Sequence, residues 1–302
     1  MKKFVFLLAV LPVVFVVPTV AQESESDGYN PNSVFPIHED DIMFKKRIWR
    51  RMDLNEKQNK PFFASGNEIS KIIIEAAKAG ILPIYKNDSM TVRYTKEEFL
   101  TNLENPQLQG YGEAADDGFG GGDDWGDAGG AADDGWGDDA AADTDAGDDW
   151  GGGDDAAAMG PIDTKFQARD VSIMEIVEDM IFDKKRSVLN WDIQALKLII
   201  PADKFTAGIF REVGVFKYKD LERLFRSMPN EAIWFNPQNS AEHKNLADAF
   251  ALRLFSARIV KIANPNDDAV IDVYSESAKQ GILASQWLEY QLMEKEHELW
   301  SY

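Results

Sequence analysis

Residues 171–201 read VSIMEIVEDMIFDKKRSVLNWDIQALKLIIP. The run from Trp191 to Ile200 is mostly apolar and stops at Pro201, which reads as a strand. Val171 to Phe182 carries helix and strand signals together. Beyond this stretch, Gly214 to Lys219 is a further short strand candidate and Asp220 to Arg226 reads as helix. Asn239 and Glu242 are expected to cap a helix through Phe255, with Leu246, Phe250 and Leu254 at four-residue steps. Ala257 to Ala263 is rich in Ile and Val and ends at the turn Asn264-Pro265. A long C-terminal helix is expected from Gly281 to Trp300, with Leu288, Leu292 and Leu299 on one face.

Toward the N-terminus, Phe44, Ile48 and Met52 recur every four residues, and the spacing predicts a helix from Asp40 to Met52. A second helix is expected from Glu68 to Ala79, lined by Ile69, Ile72, Ile73 and Ala76 and stopped by Gly80. Strand-like pieces at Leu82 to Tyr85 and Met90 to Arg93 flank an Asn87-Asp88 turn. Thr95 and Glu98 form a capping box for a third helix, with Phe99, Leu100 and Leu103 as its apolar side. The expected class is α+β, helix-rich with short strands. Two folded units are expected, 32–107 and 161–302, separated by a low-complexity tract at 109–160.

The chain has 302 residues, 44% of them hydrophobic and 28% charged, which is a globular composition. Its net charge of −20 is concentrated in one place. Glu113 to Asp155 holds fifteen Asp and one Glu with no Lys or Arg, so −4 remains for everything else. That balance argues against a nucleic-acid partner. Within the tract, Asp123-Asp124-Trp125-Gly126, Asp133-Asp134-Gly135-Trp136-Gly137 and Asp148-Asp149-Trp150-Gly151 share a loose unit, and Asp116 to Gly120 varies it with Phe119. Carboxylates suit calcium, but the nearest EF-hand frame, from Asp143, places Gly147 and Asp148 where Asp or Asn and then Gly are required. So few apolar residues among so many like charges cannot offset ordering entropy, and the tract reads as a disordered linker. Its spaced aromatics leave room for weak binding to a basic groove.

Residues 1–21 read as a secretory signal peptide: Lys2-Lys3, an apolar run from Phe4 to Val17, and the small-x-small site Thr19-Val20-Ala21 before Gln22. The apolar run is about 14 residues, short of the roughly 20 that span a bilayer. The chain has no Cys, which removes disulfides, thiol catalysis and a lipid-bearing cysteine. Periplasmic location in a Gram-negative cell is the expectation.

No catalytic constellation emerges. His38, His243 and His297 are far apart, and His297-Glu298 is followed by Ser301 where a zincin would need a second His. No Walker loop, Rossmann glycine fingerprint or G-x-S-x-G occurs, and no cofactor is expected. Glu178-Asp179 with Asp183 could serve acid/base chemistry, but an ion-paired face is the simpler reading. The densest cationic run, Lys45-Lys46-Arg47-Ile48-Trp49-Arg50-Arg51, suits either a plain solvated surface or a partner surface. An ungapped echo relates 37–47 to 176–186, and a shorter one relates 77–82 to 278–283. Ancient duplication or chance would each produce them.

Five segments in order carry a family resemblance: Glu39 to Arg50 with Asp53 to Lys57, Phe182 to Val188, Trp234 to Ala241, Phe255 to Lys261, and Glu296 to Tyr302. Together they resemble the GldN/PorN family of the gliding-motility and type IX secretion machinery of Bacteroidota. The acidic tract has no counterpart in that pattern, and the match weakens over Lys204 to Asn230. The resemblance implies a non-catalytic periplasmic subunit. It would assemble with an outer-membrane lipoprotein of the GldK/PorK type into a ring and contact the motor components GldL and GldM. On that reading the protein is held peripherally at the outer membrane through the lipoprotein. The alternative is a periplasmic calcium-binding or adaptor module acting through the Asp-rich tract.

Overall fold

The computed structural model describes residues 28–105, 165–205 and 208–300. The expected signal peptide and acidic tract lie outside the described residues. In chain order the elements are β1 (Ile42–Asp53), β2 (Phe63–Ala64), β3 (Asn67–Glu68), α1 (Ile69–Lys78), α2 (Lys96–Asn102), β4 (Ile173–Asp183), β5 (Val188–Ile200) and β6 (Arg211–Lys217). They continue with α3 (Tyr218–Ser227), β7 (Ile233–Trp234), β8 (Lys244–Asn245), α4 (Leu246–Ala251), β9 (Arg258–Ile262), α5 (Val270–Val273) and α6 (Ala278–Leu299). The architecture is α+β, as expected.

The centre is an antiparallel five-stranded sheet in the order β6-β5-β4-β1-β9. The stretch 171–201 supplies its long hairpin. Val171 to Phe182 resolves as strand because β4 lies between two neighbours and is buried along its whole length. Burial on both faces erases the alternation that normally marks a strand. Asp183 makes the reversal: its Oδ1 accepts from the N–H groups of Lys185 (2.8 Å) and Arg186 (3.1 Å). Ser187 then takes a positive φ of 53° before β5 begins.

The predicted helix at Asp40–Met52 is instead β1, paired with β4 from Ile42 to Asp53. A spacing of four residues is common to one helix face and one strand face, so Phe44, Ile48 and Met52 could not decide between them. The intervening Lys46 and Arg50 share that face, which hid the two-residue period. Strand pairing also joins the two expected units. β1 from the first sits between β4 and β9 from the second. The principal core mixes Met52, Phe62, Ile73 and Phe99 with Met174, Leu196, Phe216 and Phe250. The units 32–107 and 161–302 therefore share one sheet and one core. The long strands β1, β4 and β5, at 12, 11 and 13 residues, also correct the expectation of short ones.

Helices α1 to α4 pack on one face of this sheet. Ile69, Ile72, Ile73 and Ala76 of α1 are all buried, and Gly80 beyond it takes φ +77°. The Thr95–Glu98 capping box is present in both directions. The helix expected from Asn239 through Phe255 is shorter. Asn239 caps only a 3-10 turn, Lys244 and Asn245 pair with β7, and α4 starts at Leu246. It is Asn245 whose side chain accepts from the Ala247 N–H, at 2.9 Å. The strand-like pieces around Asn87-Asp88 make only single bridges, Tyr85 to Arg93 and to Val215. The internal echoes occupy unlike places. Glu39–Asp41 form a 3-10 turn, whereas Glu178 and Asp179 are buried in mid-strand. Ala77-Lys78 closes α1, whereas Ala278-Lys279 opens α6. The echoes mark no structural repeat.

The N-terminal segment is tied to β5 by polar contacts. Asn30 Nδ2 donates to Gln194 Oε1 (2.8 Å), and Gln194 Nε2 donates to Asp192 (2.6 Å). Burial pushes the Asp192 carboxyl above its ordinary value, against the hydrogen bond from Gln194 that lowers it. A carboxyl with a raised folded-state pKa loses stability as pH rises through that value. Asp192→Asn, which keeps an acceptor for Gln194, should therefore melt at the same or a higher temperature than the parent at neutral pH. The advantage should shrink in acid below the ordinary carboxyl value, where the group is protonated in both the folded and unfolded chain. Thermal melts at the two pH values check this, and a lower melting temperature at neutral pH would contradict it.

Candidate interaction surface

Strand geometry divides the cationic run between the two faces of the sheet. Phe44, Lys46, Ile48, Arg50 and Met52 point to the helix-covered face; Lys45, Arg47, Trp49 and Arg51 point to the other. These residues do not form one surface. Most of their charge is also spent on β4. Arg47 grips Asp179 with Nε and Nη2 at 2.7 and 2.9 Å, and Lys45 adds a contact at 3.3 Å. The Asp179 hydrogen bond and charge hold the Arg47 guanidinium above its usual range, against its burial. Arg51 meets Glu175 at 3.3 Å, and the Trp49 indole N–H donates to Asp88 at 2.9 Å. Lys46 lines a shallow cavity beneath α6.

Beside this row, Lys197 touches Asp88, Glu212 and Glu175 at 3.0, 3.1 and 3.3 Å. Burial opposes its charge, yet the three carboxylates hold the ammonium above the usual lysine range. On the helix-covered face, fully buried Glu178 takes Arg50 Nε at 2.6 Å and Arg253 Nη1 at 2.7 Å. Both guanidiniums lie over the Trp191 ring, at 5.3 and 4.9 Å. Arg50 also reaches Glu289 of α6 at 2.9 Å. Glu178 and Asp179 thus point to opposite faces of β4, and Asp183 caps the turn, so the three carboxylates converge on no common point. Their arrangement is ion pairing within the sheet.

Charge reversal separates these roles. Arg47→Glu would set two carboxylates together at a position where Asp179 is inaccessible to solvent. It should destabilise the fold by at least about 3 kcal/mol. Lys46→Glu should change stability by no more than about 0.5 kcal/mol. Urea unfolding of the two variants checks the contrast, and equal midpoints would contradict it.

The surface without an internal purpose lies on α5 and α6. Leu292 is buried against Ile48, Met180 and Ile259, with Leu288 packed beside it. Ala284 and Ser285 are buried on the same side. On the opposite side Leu283, Trp287 and Tyr290 recur at i, i+4 and i+7, and are 53, 52 and 67% exposed. Met293 extends the patch along α6, and Val273 of α5 is exposed as well. A helix with an apolar stripe on both sides is half-covered. The sequence held the signal in the spacing 283, 287, 290, but only the inner leucines at 288, 292 and 299 stood out.

A profile of the family described as "Gliding motility associated protein GldN" matches residues 37–301, nearly all of the chain beyond its first segment. The chain belongs to the GldN family. No curated protein matches it. The GldN match runs across β1, the hairpin β4–β5 and α6 alike, so the family unit includes the sheet and the helix that carries the exposed stripe. The segments of the GldN resemblance fall at junctions of that unit. Phe182 to Val188 is the central hairpin turn, and Phe255 to Lys261 leads into the edge strand β9. Trp234 to Ala241 contains exposed Phe235, whose ring lies 4.7 Å from that of His243. Among the described residues no helix is long and apolar enough to cross a membrane.

Proposed function

We propose that this GldN-family chain is a non-catalytic periplasmic subunit of the gliding-motility and type IX secretion machinery. Signal cleavage leaves Gln22 as the mature N-terminus. The chain then assembles with an outer-membrane lipoprotein of the GldK/PorK type into a ring and meets the motor components GldL and GldM. It is held at the outer membrane through that lipoprotein. The exposed apolar face of α5 and α6 is the contact surface, and it is the observation that carries this reading. Exposed apolar side chains gathered on one helix face mark association sites on otherwise polar proteins. The buried ion pairs support a scaffold role, because they join β1, β4, β5 and α6 into one body. Co-expression of residues 22–302 with the cognate lipoprotein, followed by sizing and electron microscopy, tests the proposal. The expected result is a large ring-shaped complex. A mature chain that elutes alone as a monomer in the presence of the lipoprotein would overturn it.

A further inference from the structure

A groove of about 430 Å³ opens between the edge strand β9, α5 and the first two turns of α6. Its apolar walls include Val260, Ile271 and Ile282, and the Trp49 indole lies at its base with the Lys261 ammonium 4.5 Å from the ring. Its rim carries Arg51, Arg258 and Lys261; Asp88 and Glu175 line it as well, paired with Lys197 and, for Glu175, also with Arg51, which leaves Arg258 and Lys261 as the cations facing the opening. Both are held only by surface partners. Lys261 pairs with Asp267, whose side chain is 78% exposed, and Arg258 pairs with Glu56 at 3.0 Å. The Arg258–Glu56 pair is solvent-exposed on both sides and weak, so an incoming carboxylate can exchange with it, and Lys261 shares its charge with a partner that faces solvent. Arg51 leaves its buried Nε without a hydrogen-bond partner. The groove therefore suits a ligand that combines carboxylates with one flat apolar ring.

The same chain carries such a ligand. Units of paired Asp followed by an aromatic and Gly recur at 116–120, 123–126, 133–137 and 148–151, in a tract with fifteen Asp and no Lys or Arg. The tract leaves the fold at the β6 edge of the sheet, four strands across from β9. Glu104 and Lys165 bridge at its stem, and Arg211 donates to the Glu104 and Thr101 carbonyls at 2.9 and 3.1 Å. Adjacent Phe210 lies 5.0 Å from the guanidinium of Arg51, which is a groove residue. From Asn105 to Asp116 the chain can reach about 36 Å when extended, more than the roughly 19 Å that four strand spacings cover.

We propose that the β9–α5–α6 groove binds an Asp-Asp-Trp-Gly unit of the chain's own acidic tract. The indole enters between Ile282 and the Lys261 ammonium, and the carboxylates take Arg258 and Lys261. Several units compete for one groove, so the tract is held near the α5–α6 surface without any single unit being required. Salt weakens the contact, since its carboxylates meet cations at an exposed rim.

The test uses the full mature chain with the photoreactive residue benzoylphenylalanine replacing Ile282. Irradiation should give crosslinks that map to 116–151. Arg258→Glu with Lys261→Glu should reduce their yield at least about tenfold, because reversed rim charges repel the tract. Trp125→Ser, Trp136→Ser and Trp150→Ser together should do the same without touching the groove, so the test survives if the rim variant fails to fold. Melting curves control for folding. Mixing isotopically heavy and light chains before irradiation checks the same-chain occupant: pairs within one chain support it, and heavy–light pairs contradict it. Crosslinks confined to other segments, or a yield indifferent to both sets of substitutions, would overturn the proposal.

Discussion

Glu178→Gln is expected to cost the fold about 3–5 kcal/mol, the usual penalty for removing one partner of a buried ion pair. The carboxylate is inaccessible to solvent and sits between Arg50 and Arg253. Both cations also lie over Trp191, so each is drawn inward from water. Without the negative charge, two guanidiniums would face each other in a site where Arg50 is only 12% and Arg253 31% exposed, so water screens them incompletely. Arg253 binds both Glu178 oxygens, at 2.7 and 3.2 Å, so it loses two charge-assisted contacts at once. Urea unfolding followed by tryptophan fluorescence would read the loss, with Trp191 as the local reporter. Adding Arg253→Leu to Glu178→Gln should recover part of it by removing one of the opposed charges. A single-variant loss below about 1 kcal/mol would show that the network is solvated, contrary to its geometry.

Leu283→Glu, Trp287→Glu and Tyr290→Glu should have the opposite profile. All three side chains are more than half exposed on the outer face of α6, and the helix position tolerates Glu well. The triple variant should therefore melt within a few degrees of the parent. On the proposed function it should nevertheless abolish assembly with the lipoprotein. Buried aromatic anchors at interfaces commonly carry about 2 kcal/mol or more each, and charge in their place adds a desolvation cost. Leu292→Glu serves as the contrast: it is buried against Ile48 and Met180 and should unfold α6 from the sheet. An assembled triple variant would remove the outer stripe from the account and leave the rest of the fold untouched.

Local signals in the sequence were read well where local chemistry decides structure. The capping box at Thr95, the stop at Gly80 and the strand ending at Pro201 all depend on neighbours a few residues away. β1 was misread because its decisive contacts are distant. Arg47 meets Asp179 and Arg50 meets Glu178, both more than 120 residues later in the chain. From sequence alone, five cations around Ile48 and Trp49 describe an exposed surface. Only the pairing with β4 reveals that the charges are neutralised inside a sheet. The same pairing hid the unity of the core, since an intervening acidic tract suggests two bodies while β1 closes the sheet across it. For the interaction surface, the stripe 283–287–290 was present in the letters, but a helix's apolar residues do not state which stripe the rest of the protein will cover.

Hydroxyl-radical footprinting of the mature chain, alone and within the machinery, tests the central claim most directly. Trp287, Tyr290 and Met293 are readily oxidised side chains, exposed in the isolated fold at 52, 67 and 60%. Assembly through α5 and α6 requires all three to become protected in the complex, while exposed Phe35 of the N-terminal segment need not change. Equal oxidation of Trp287, Tyr290 and Met293 in the free and assembled protein would contradict the assignment of this face as the contact surface.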